Sequence, residues 1–406
     1  MKKLVLTVGT LLAVMGAAYS QSNVIVTNSV TGNSNTTSIQ QTMQTGFGAN
    51  NNASITVAGN SNEALLKQVG GGLSSTTTQT GNNNKSDVSE MGSYSNNNVS
   101  QTGTNGATNK SVVSSNGRGI VSQVYQQANS AGSNNDMKLS QTGNNSYLGS
   151  EQNATAGGKN KVDLIQTGYD APLGNGSYAI IIQNADGAGS MNTLKGEQNI
   201  AGAEGIFTLD LTQTAIAGGV NEGTLNQSGT YAIAGLDQLA DGAGSKNTAT
   251  FNQSGTDQFP ATISEAAILQ TAFTGGTNNA TVNQSGTEQA ATLEQVAATS
   301  GTNKTVVTQS DDQHVANIFQ FAGNGGNNDA KIVQAMDGFG LSGSMANVEQ
   351  EAVGVGSKNT ADITQYGGDP GPGLLGTQEV AIEQIARGGG ENVAVVPALL
   401  PLDKYI

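Results

Sequence analysis

The chain has 406 residues, 56 of them glycine, with no tryptophan and only 4% aromatic residues. The length would allow two or three ordinary domains, but this composition has too few large apolar residues to form their packed cores. A formal net charge of -14 argues against nucleic-acid binding, and the lack of cysteine excludes a disulfide framework and a thiolate site.

The N-terminus has the three parts of a secretory signal peptide. Lys2 and Lys3 precede an apolar run from Leu4 to Val14, and small residues follow it. A membrane anchor is the alternative, but it would need a longer apolar stretch. We therefore predict that residues 1–20 are a signal peptide and that the protein is exported without inserting into a membrane.

Residues 21–34 form an N-terminal segment before the first clear repeat. Two interpretations stay open for it: a secretion-recognition region, or part of the first structural repeat. The second gains support because Asn35, Thr37, Ile39 and Gln41 already follow the repeating pattern described next.

From residue 35 to residue 394 the chain repeats the frame Asn-x-Ala/Thr/Ser-x-aliphatic-x-Gln-x-Gly. In the copy that begins at Asn359, the residues Ala361, Ile363 and Gln365 recur at every second position, and the residues between them are polar or amphipathic. Alternation of this kind is typical of β-strands, whereas a helix would need apolar residues three and four apart. The frame therefore predicts strands with one inward and one outward face.

Successive glutamines define the size of the repeating unit. An interval of 11 residues, as from Gln227 to Gln238, alternates with one of 14 or 15, as from Gln238 to Gln253. A unit of about 25 residues with two strands and two turns predicts one coil of a β-solenoid, of which the chain would hold about 13. Glycine- and asparagine-rich segments such as 240–245 and 322–327 predict the turns, and 169–177, 337–344 and 368–377 predict surface loops.

The inward face is unusual because it combines an aliphatic residue with Asn and Gln. Burial of an unpaired amide costs a few kcal/mol, so isolated amides would be excluded from a core. Equivalent amides stacked above one another can donate to one neighbour and accept from the other, as in amyloid ladders. The predicted fold class is therefore all-β: a solenoid with amyloid-like cross-β stacking.

No constellation of catalytic residues interrupts the repeats. The single histidine, His314, lacks recurring partner residues, so we expect a variant of a turn or strand-start position there. Acidic turns such as Asp311-Asp312 do not reproduce the calcium-binding nonapeptide of β-rolls. The 16 basic residues are dispersed, unlike those of polysaccharide-cleaving β-helices. We predict neither an enzyme nor a metal or cofactor site.

The glutamine frame resembles the curlin repeat of bacterial curli fibre subunits, Ser-x5-Gln-x-Gly-x2-Asn-x-Ala-x3-Gln. The segment Gln79-x-Gly81-x2-Asn84-x-Ser86-x3-Glu90 follows this motif with Ser for Ala and Glu for the second Gln. The chain departs from the family in its larger number of repeats, in a longer second turn and in residues 395–406, which do not form a curlin strand.

The resemblance implies a subunit that leaves the cell through a dedicated outer-membrane pore and folds at the surface, with the help of a nucleator subunit, into amyloid-like fibres. Such fibres form biofilm matrix and mediate adhesion, and their amide ladders carry assembly. By matching position, the resemblance assigns this role to Gln79, Gln101, Gln141, Gln166, Gln227, Gln253, Gln284, Gln309, Gln334, Gln365, Asn247, Asn278, Asn303, Asn328 and Asn359.

The sequence leaves a second function open. A monomeric β-solenoid adhesin, capped at both ends, could bind glycans, surfaces or ice through its outward face. The tail at residues 395–406 contains Pro397 and Pro401, and proline removes a ladder donor, so the tail is a candidate cap.

Overall fold

The computed structural model describes residues 24–41, 51–70, 72–82, 84–91, 96–104, 108–116, 121–129, 132–142, 146–155, 158–169, 175–187, 189–201, 205–216, 218–229, 231–242, 244–254, 263–286, 288–310, 313–335, 343–366 and 378–396. These residues form two parallel sheets of 14 strands each, whose strands alternate along the chain. The all-β solenoid predicted from the glutamine frame is confirmed.

The odd-numbered strands form one sheet, called sheet A. They are β1 (Val24–Val30), β3 (Asn51–Val57), β5 (Ser75–Gln79), β7 (Asn97–Gly103), β9 (Val121–Ala128), β11 (Ser146–Ala154), β13 (Asn175–Ala185), β15 (Gly205–Ala215), β17 (Tyr231–Ala240), β19 (Ile263–Thr274), β21 (Glu288–Thr299), β23 (His314–Ala322), β25 (Ser344–Val353) and β27 (Gln378–Arg387).

The even-numbered strands form the facing sheet, sheet B. They are β2 (Thr37–Gln40), β4 (Ala64–Gln68), β6 (Ser86–Met91), β8 (Thr108–Asn116), β10 (Asn134–Thr142), β12 (Lys159–Tyr169), β14 (Met191–Ala201), β16 (Val220–Ser228), β18 (Lys246–Ser254), β20 (Thr277–Ser285), β22 (Thr302–Ser310), β24 (Asn327–Ala335), β26 (Lys358–Tyr366) and β28 (Glu391–Val395). One odd and one even strand make a coil, numbered 1 to 14 from the N-terminus.

Each strand pairs in parallel with the equivalent strand of the next coil, and the register keeps the glutamines aligned. Gln253 in β18 faces Gln284 in β20, for example. The step between equivalent glutamines ranges from 22 residues, Gln79 to Gln101, to 34 residues, Gln350 to Gln384. The predicted unit of about 25 residues lies within this range. The number of residues per coil varies because the turns between the aligned strands differ in length.

Burial alternates along the strands as the period of two predicts. In β18 the inward residues Asn247, Ala249, Phe251 and Gln253 are buried, and the residues between them are half-buried. Stacked aliphatic side chains fill the middle of each coil, and alanine occupies the inward positions nearer the ends of the strands. The core is therefore a narrow column between the two sheets, and its polar margins consist of the amides.

A tight corner connects many sheet A strands to the following sheet B strand. The last inward residue of sheet A is alanine, and a buried glycine four residues later packs against it. A Cβ atom added to Gly276 would lie 2.3 Å from the Cβ of Ala272. The same pairs are Ala154 with Gly158, Ala215 with Gly219, Ala297 with Gly301, Ala322 with Gly326 and Ala386 with Gly390. Glycine is needed at these corners because the chain approaches itself so closely.

Several corners are one residue longer and use serine in place of that glycine. Ser190 and Ser245 are buried, and their amides donate to the carbonyls of Gly187 and Gly242. The residue before the serine is a glycine with φ near +80°, as at Gly189 (77°) and Gly244 (80°). Two turn lengths thus deliver the next asparagine to one inward position, so the register tolerates a difference of one residue at these corners. Larger differences lie in the connections from sheet B to sheet A, where Gln238 follows Gln227 by 11 residues and Gln270 follows Gln253 by 17.

The described strands refine the predicted boundaries. Strand β1 lies inside residues 21–34 and pairs with β3, so at least part of that segment belongs to the solenoid. Strand β12 continues to Tyr169 and β13 starts at Asn175, so strands take up both ends of the loop predicted at 169–177. The predicted signal peptide, most of the three predicted loops and residues 397–406 lie outside the described residues.

Candidate functional site: three amide ladders and an open last coil

The predicted glutamines of sheet B stack into one continuous ladder. From Gln166 to Gln365, each side-chain amide donates its Nε2–H to the Oε1 atom of the glutamine one coil before it, over distances of 2.6 to 2.9 Å, and Gln141 is the first acceptor. Its members are Gln141, Gln166, Gln198, Gln227, Gln253, Gln284, Gln309, Gln334 and Gln365. All are buried except Gln365, which is half-buried. Of these, only Gln198 was not among the predicted residues.

A second glutamine ladder runs along sheet A. Gln79 and Gln101 belong to it, so these two predicted residues do not stack with the other eight. The bond from Gln79 Nε2 to Gln101 Oε1 is 2.9 Å long. The ladder continues through Gln126, Gln152, Gln183, Gln213, Gln238, Gln270, Gln295, Gln320, Gln350 and Gln384.

A third ladder consists of asparagines at the start of the sheet B strands. The predicted residues Asn247, Asn278, Asn303, Asn328 and Asn359 are successive members, joined by Nδ2–H to Oδ1 bonds of 2.8 to 2.9 Å. The stack also includes Asn35, Asn62, Asn84, Asn109, Asn135, Asn160, Asn192, Asn221 and Asn392. The structure thus stacks every predicted ladder residue with its equivalents.

The ladders also connect the two sheets. Gln309 Nε2 donates to the carbonyl of Val315 at 3.1 Å, and Asn303 Nδ2 donates to the carbonyl of Phe321 at 2.6 Å. Gln295 Nε2 reaches the carbonyl of Lys304 at 3.0 Å. One amide hydrogen therefore serves the stack and the other the facing strand, which removes the desolvation cost that an unpaired buried amide would carry.

The sheet B glutamine ladder is interrupted near the N-terminus. Glu90 and Ser115 occupy the two ladder positions between Gln68 and Gln141, and both are buried. Gln68 Nε2 donates to Glu90 Oε1 at 2.8 Å, and the Ser75 hydroxyl also donates to this carboxyl group. Coils 3 and 4 therefore depart from the uniform stacking of the later coils.

Two of the ladders reverse direction inside the molecule. Asn135 donates toward the N-terminal end, to Asn109, and Asn160 donates toward the C-terminal end, to Asn192, so the Oδ1 atoms of Asn135 and Asn160 are buried without a donor. In sheet A, Gln152 donates to Gln183 and Gln238 donates to Gln213, which leaves Gln183 Nε2 buried without an acceptor. Coils 5 to 8 thus contain two mismatched contacts between stacked amides.

Two titratable groups near the surface, Lys85 and Asp237, have shifted pKa values. The pKa of Lys85 is raised by its hydrogen bond to Glu63 at 2.6 Å, but the two side chains are 48% and 34% exposed, so solvent screens the pair and it contributes little stability. Asp237 is exposed as a residue, yet partial burial of its carboxyl group beside its sheet A neighbours raises its pKa. Both groups lie outside the amide ladders.

His314 occupies a strand-start position, which is one of the two positions predicted for it. It begins β23, is buried, and lies in register with Gln289 and Ser344. Its Nδ1 atom is 3.2 Å from the Ser344 hydroxyl oxygen. Among the described residues, no group of three or more His, Cys, Asp or Glu side chains could hold a metal ion.

The C-terminal coil is one open end of the described solenoid, and β1 and β2 of the first coil likewise pair on one side only. Strands β27 and β28 each pair with only one described strand, so their other edges face away from the stack. Val380 and Ile382 occupy inward positions and pack on the core, yet they are only half-buried, whereas their register partners Ala346 and Val348 are buried. Gln384 and Asn392 bring two of the ladders to this end.

The sequence predicted only Gln79 and Gln101 of the sheet A ladder, although a signal for several others was present. Some of these glutamines follow a sheet B glutamine at the interval of 11 residues, as Gln238 follows Gln227 and Gln295 follows Gln284. Others have no such signal, because Gln183 and Gln270 follow theirs only after 17 residues. The early asparagines were harder to recognise because the residues around them vary more. From Asn135 to Asn221 the signal is a position two residues after the corner glycine or serine, whereas Asn62 and Asn84 lie three residues after a glycine.

In comparisons with known proteins, no family model, no curated protein and no solved structure matches the chain. No helix long and apolar enough to cross a membrane occurs among the residues that the structure describes.

Proposed function

We propose that the protein is a secreted, curlin-like structural subunit that polymerises at the bacterial cell surface into amyloid fibres of the biofilm matrix. The observation that carries this proposal is the last coil, which ends in half-buried core residues and two one-sided strands. Unpaired strand edges recruit further strands, and stacked amides extend most readily onto another copy with the same ladders.

The proposed partners follow from the curlin resemblance and from the stack. The main partner is another copy of the chain, which adds coils to the open end. An outer-membrane pore would deliver the unfolded chain, and a nucleator subunit would offer the first template. These fibres would mediate adhesion and need no catalysis and no cofactor.

The experiment follows residues 21–406 after dilution from denaturant, by amyloid-dye fluorescence with and without seeds, and then by fibre diffraction. We expect a lag phase that seeds remove, and a reflection near 4.7–4.8 Å. A soluble, β-rich monomer that stays dye-negative and cannot be seeded would contradict the proposal and favour the capped adhesin.

Replacement of three stacked glutamines tests the ladder mechanism. Gln253, Gln284 and Gln309 are consecutive members, joined at 2.8 and 2.9 Å. Changing all three to Ala should lengthen the lag at least several-fold or abolish growth, because the amides above and below lose their partners. The matched control changes the outward residues Thr250, Thr281 and Val306 of the same coils to Ala and should leave the kinetics near wild type. Equal kinetics in both variants would contradict a role of the ladder in assembly.

A further inference from the structure

An open groove runs along the outer face of sheet B, near the ends of strands β14 to β22. Two rows of side chains line its middle: Asn226, Asn252 and Asn283 in one row, and Ser228, Ser254 and Ser285 in the other. The rows flank the buried glutamine ladder, with asparagine one residue before each glutamine and serine one residue after it.

The groove repeats the same chemical groups at a fixed interval. Asn226, Asn252 and Asn283 are aligned by the parallel register, as are the three serines. Adjacent parallel strands lie about 4.7–4.9 Å apart, so each coil offers one amide and one hydroxyl at that spacing. Thr308 and Ser310 extend the two rows by another coil.

Core packing does not explain this regularity. Two other outward positions of the same strands vary from coil to coil: Lys246 is in register with Thr277, and Glu222 is in register with Thr248. The two groove rows and the row of Thr224, Thr250 and Thr281 keep their residue types through coils 8 to 10. Uncharged hydrogen-bonding side chains are therefore repeated in three outward rows of these coils, and two of the three rows line the groove.

The groove offers hydrogen-bonding capacity that the fold leaves unused. Asn283 Nδ2 donates to Asn252 Oδ1 at 2.8 Å, and Asn252 Nδ2 donates to Asn226 Oδ1 at 2.8 Å. Each amide nitrogen has a second hydrogen that this stack does not use. No hydrogen bond within the described part of the chain engages the hydroxyls of Ser254 or Ser285. These groups are uncharged and face solvent.

We propose that this groove binds a neutral polysaccharide whose chain is extended along the solenoid axis. Such a ligand presents hydroxyl groups, which donate and accept as the asparagine amides and serine hydroxyls do. Its hydroxyl groups recur along the whole chain, so they can meet the equivalent side chains of successive coils. The groove lies on the outer face, away from the open end, and binding needs no polymerisation.

The experiment measures binding of a soluble mixed-linkage β-glucan by titration calorimetry, with dextran as an α-linked comparison. We expect the wild-type chain to bind the β-glucan more tightly than dextran, with an affinity that 0.5 M salt leaves unchanged to about twofold, because the ligand carries no charge. Ser254→Glu with Ser285→Glu should weaken binding at least about tenfold, because the two carboxylates crowd the groove.

The matched control changes Thr250→Glu and Thr281→Glu, which lie on the same strands but outside the groove, and should bind like the wild type. Unfolding midpoints and seeded dye kinetics of both variants separate this result from the fibre proposal. Absence of β-glucan binding by the wild-type chain would overturn the inference. Equal loss of binding in the groove and control variants would also overturn it.

Discussion

At the scale of single residues, the contribution of a ladder amide depends on how many of its hydrogen-bonding atoms find partners. Gln320 donates from Nε2 to Gln295, Thr305 and Asp329, and its Oε1 accepts from Gln350. Gln183 only accepts, from Gln152, and its buried Nε2 has no acceptor. Identical residues at equivalent positions should therefore contribute differently to stability.

We expect Gln320→Leu to destabilise the solenoid by about 1–3 kcal/mol more than Gln183→Leu, because the first change orphans several buried partners and the second removes an already unpaired group. Denaturant unfolding of the monomeric chain, compared by transition midpoints, measures the difference. Equal shifts of the two midpoints would show that Gln183 is as fully paired as Gln320, and that the sheet A ladder does not reverse between coils 7 and 8.

At the scale of structural elements, the corner between the sheets decides whether the amides can stack. Gly276 packs on Ala272 and places Asn278 two residues later in the ladder. The abundance of glycine predicted turns, but not this contact, because composition does not reveal which glycine meets which alanine. The period-two frame, by contrast, was sufficient to predict the inward residues of β18 and β26.

Gly276→Ala tests the corner. The new methyl group would lie 2.3 Å from the Cβ of Ala272, so the chain must shift, at a cost of roughly 1–3 kcal/mol. The control is Gly235→Ala in β17, where an added Cβ meets no atom closer than 3.4 Å and should be tolerated. Circular dichroism during thermal unfolding gives both values. A Gly276→Ala variant as stable as the control would contradict the tight corner.

At the scale of the whole molecule, the two ends and the middle of the solenoid differ. Thr37 and Ile39 in the first coil are buried, whereas the inward residues of the last coil are half-buried or exposed. The mismatched amides lie between coils 5 and 8, far from both ends. Growth at the C-terminal coil is therefore the simplest route by which the proposed fibre could extend.

Ile382→Lys should block that growth while leaving the monomer folded. Its side chain is half-buried in the last coil, but an added chain would bury the ammonium group without a partner, which is strongly unfavourable. Wild-type seeds should elongate at least several-fold more slowly with monomer of this variant, because each variant chain that adds blocks the next addition. Ile385→Lys is the control, because Ile385 occupies an outward position on the same strand. Normal elongation of wild-type seeds by Ile382→Lys monomer would exclude growth at this end.

The sequence by itself determined the solenoid, because a strict period of two and the alternating glutamine intervals are compatible only with strands that recur once per half-coil. It also identified the sheet B glutamines from Gln141 to Gln365 except Gln198, and the asparagines from Asn247 to Asn359. The tertiary structure decided which glutamines share a ladder, since Gln79 and Gln101 stack on sheet A and Gln141 on sheet B. It also decided where the ladders reverse and where the outward rows form a groove, because both depend on neighbours one coil away, about 22 to 34 residues distant in the chain.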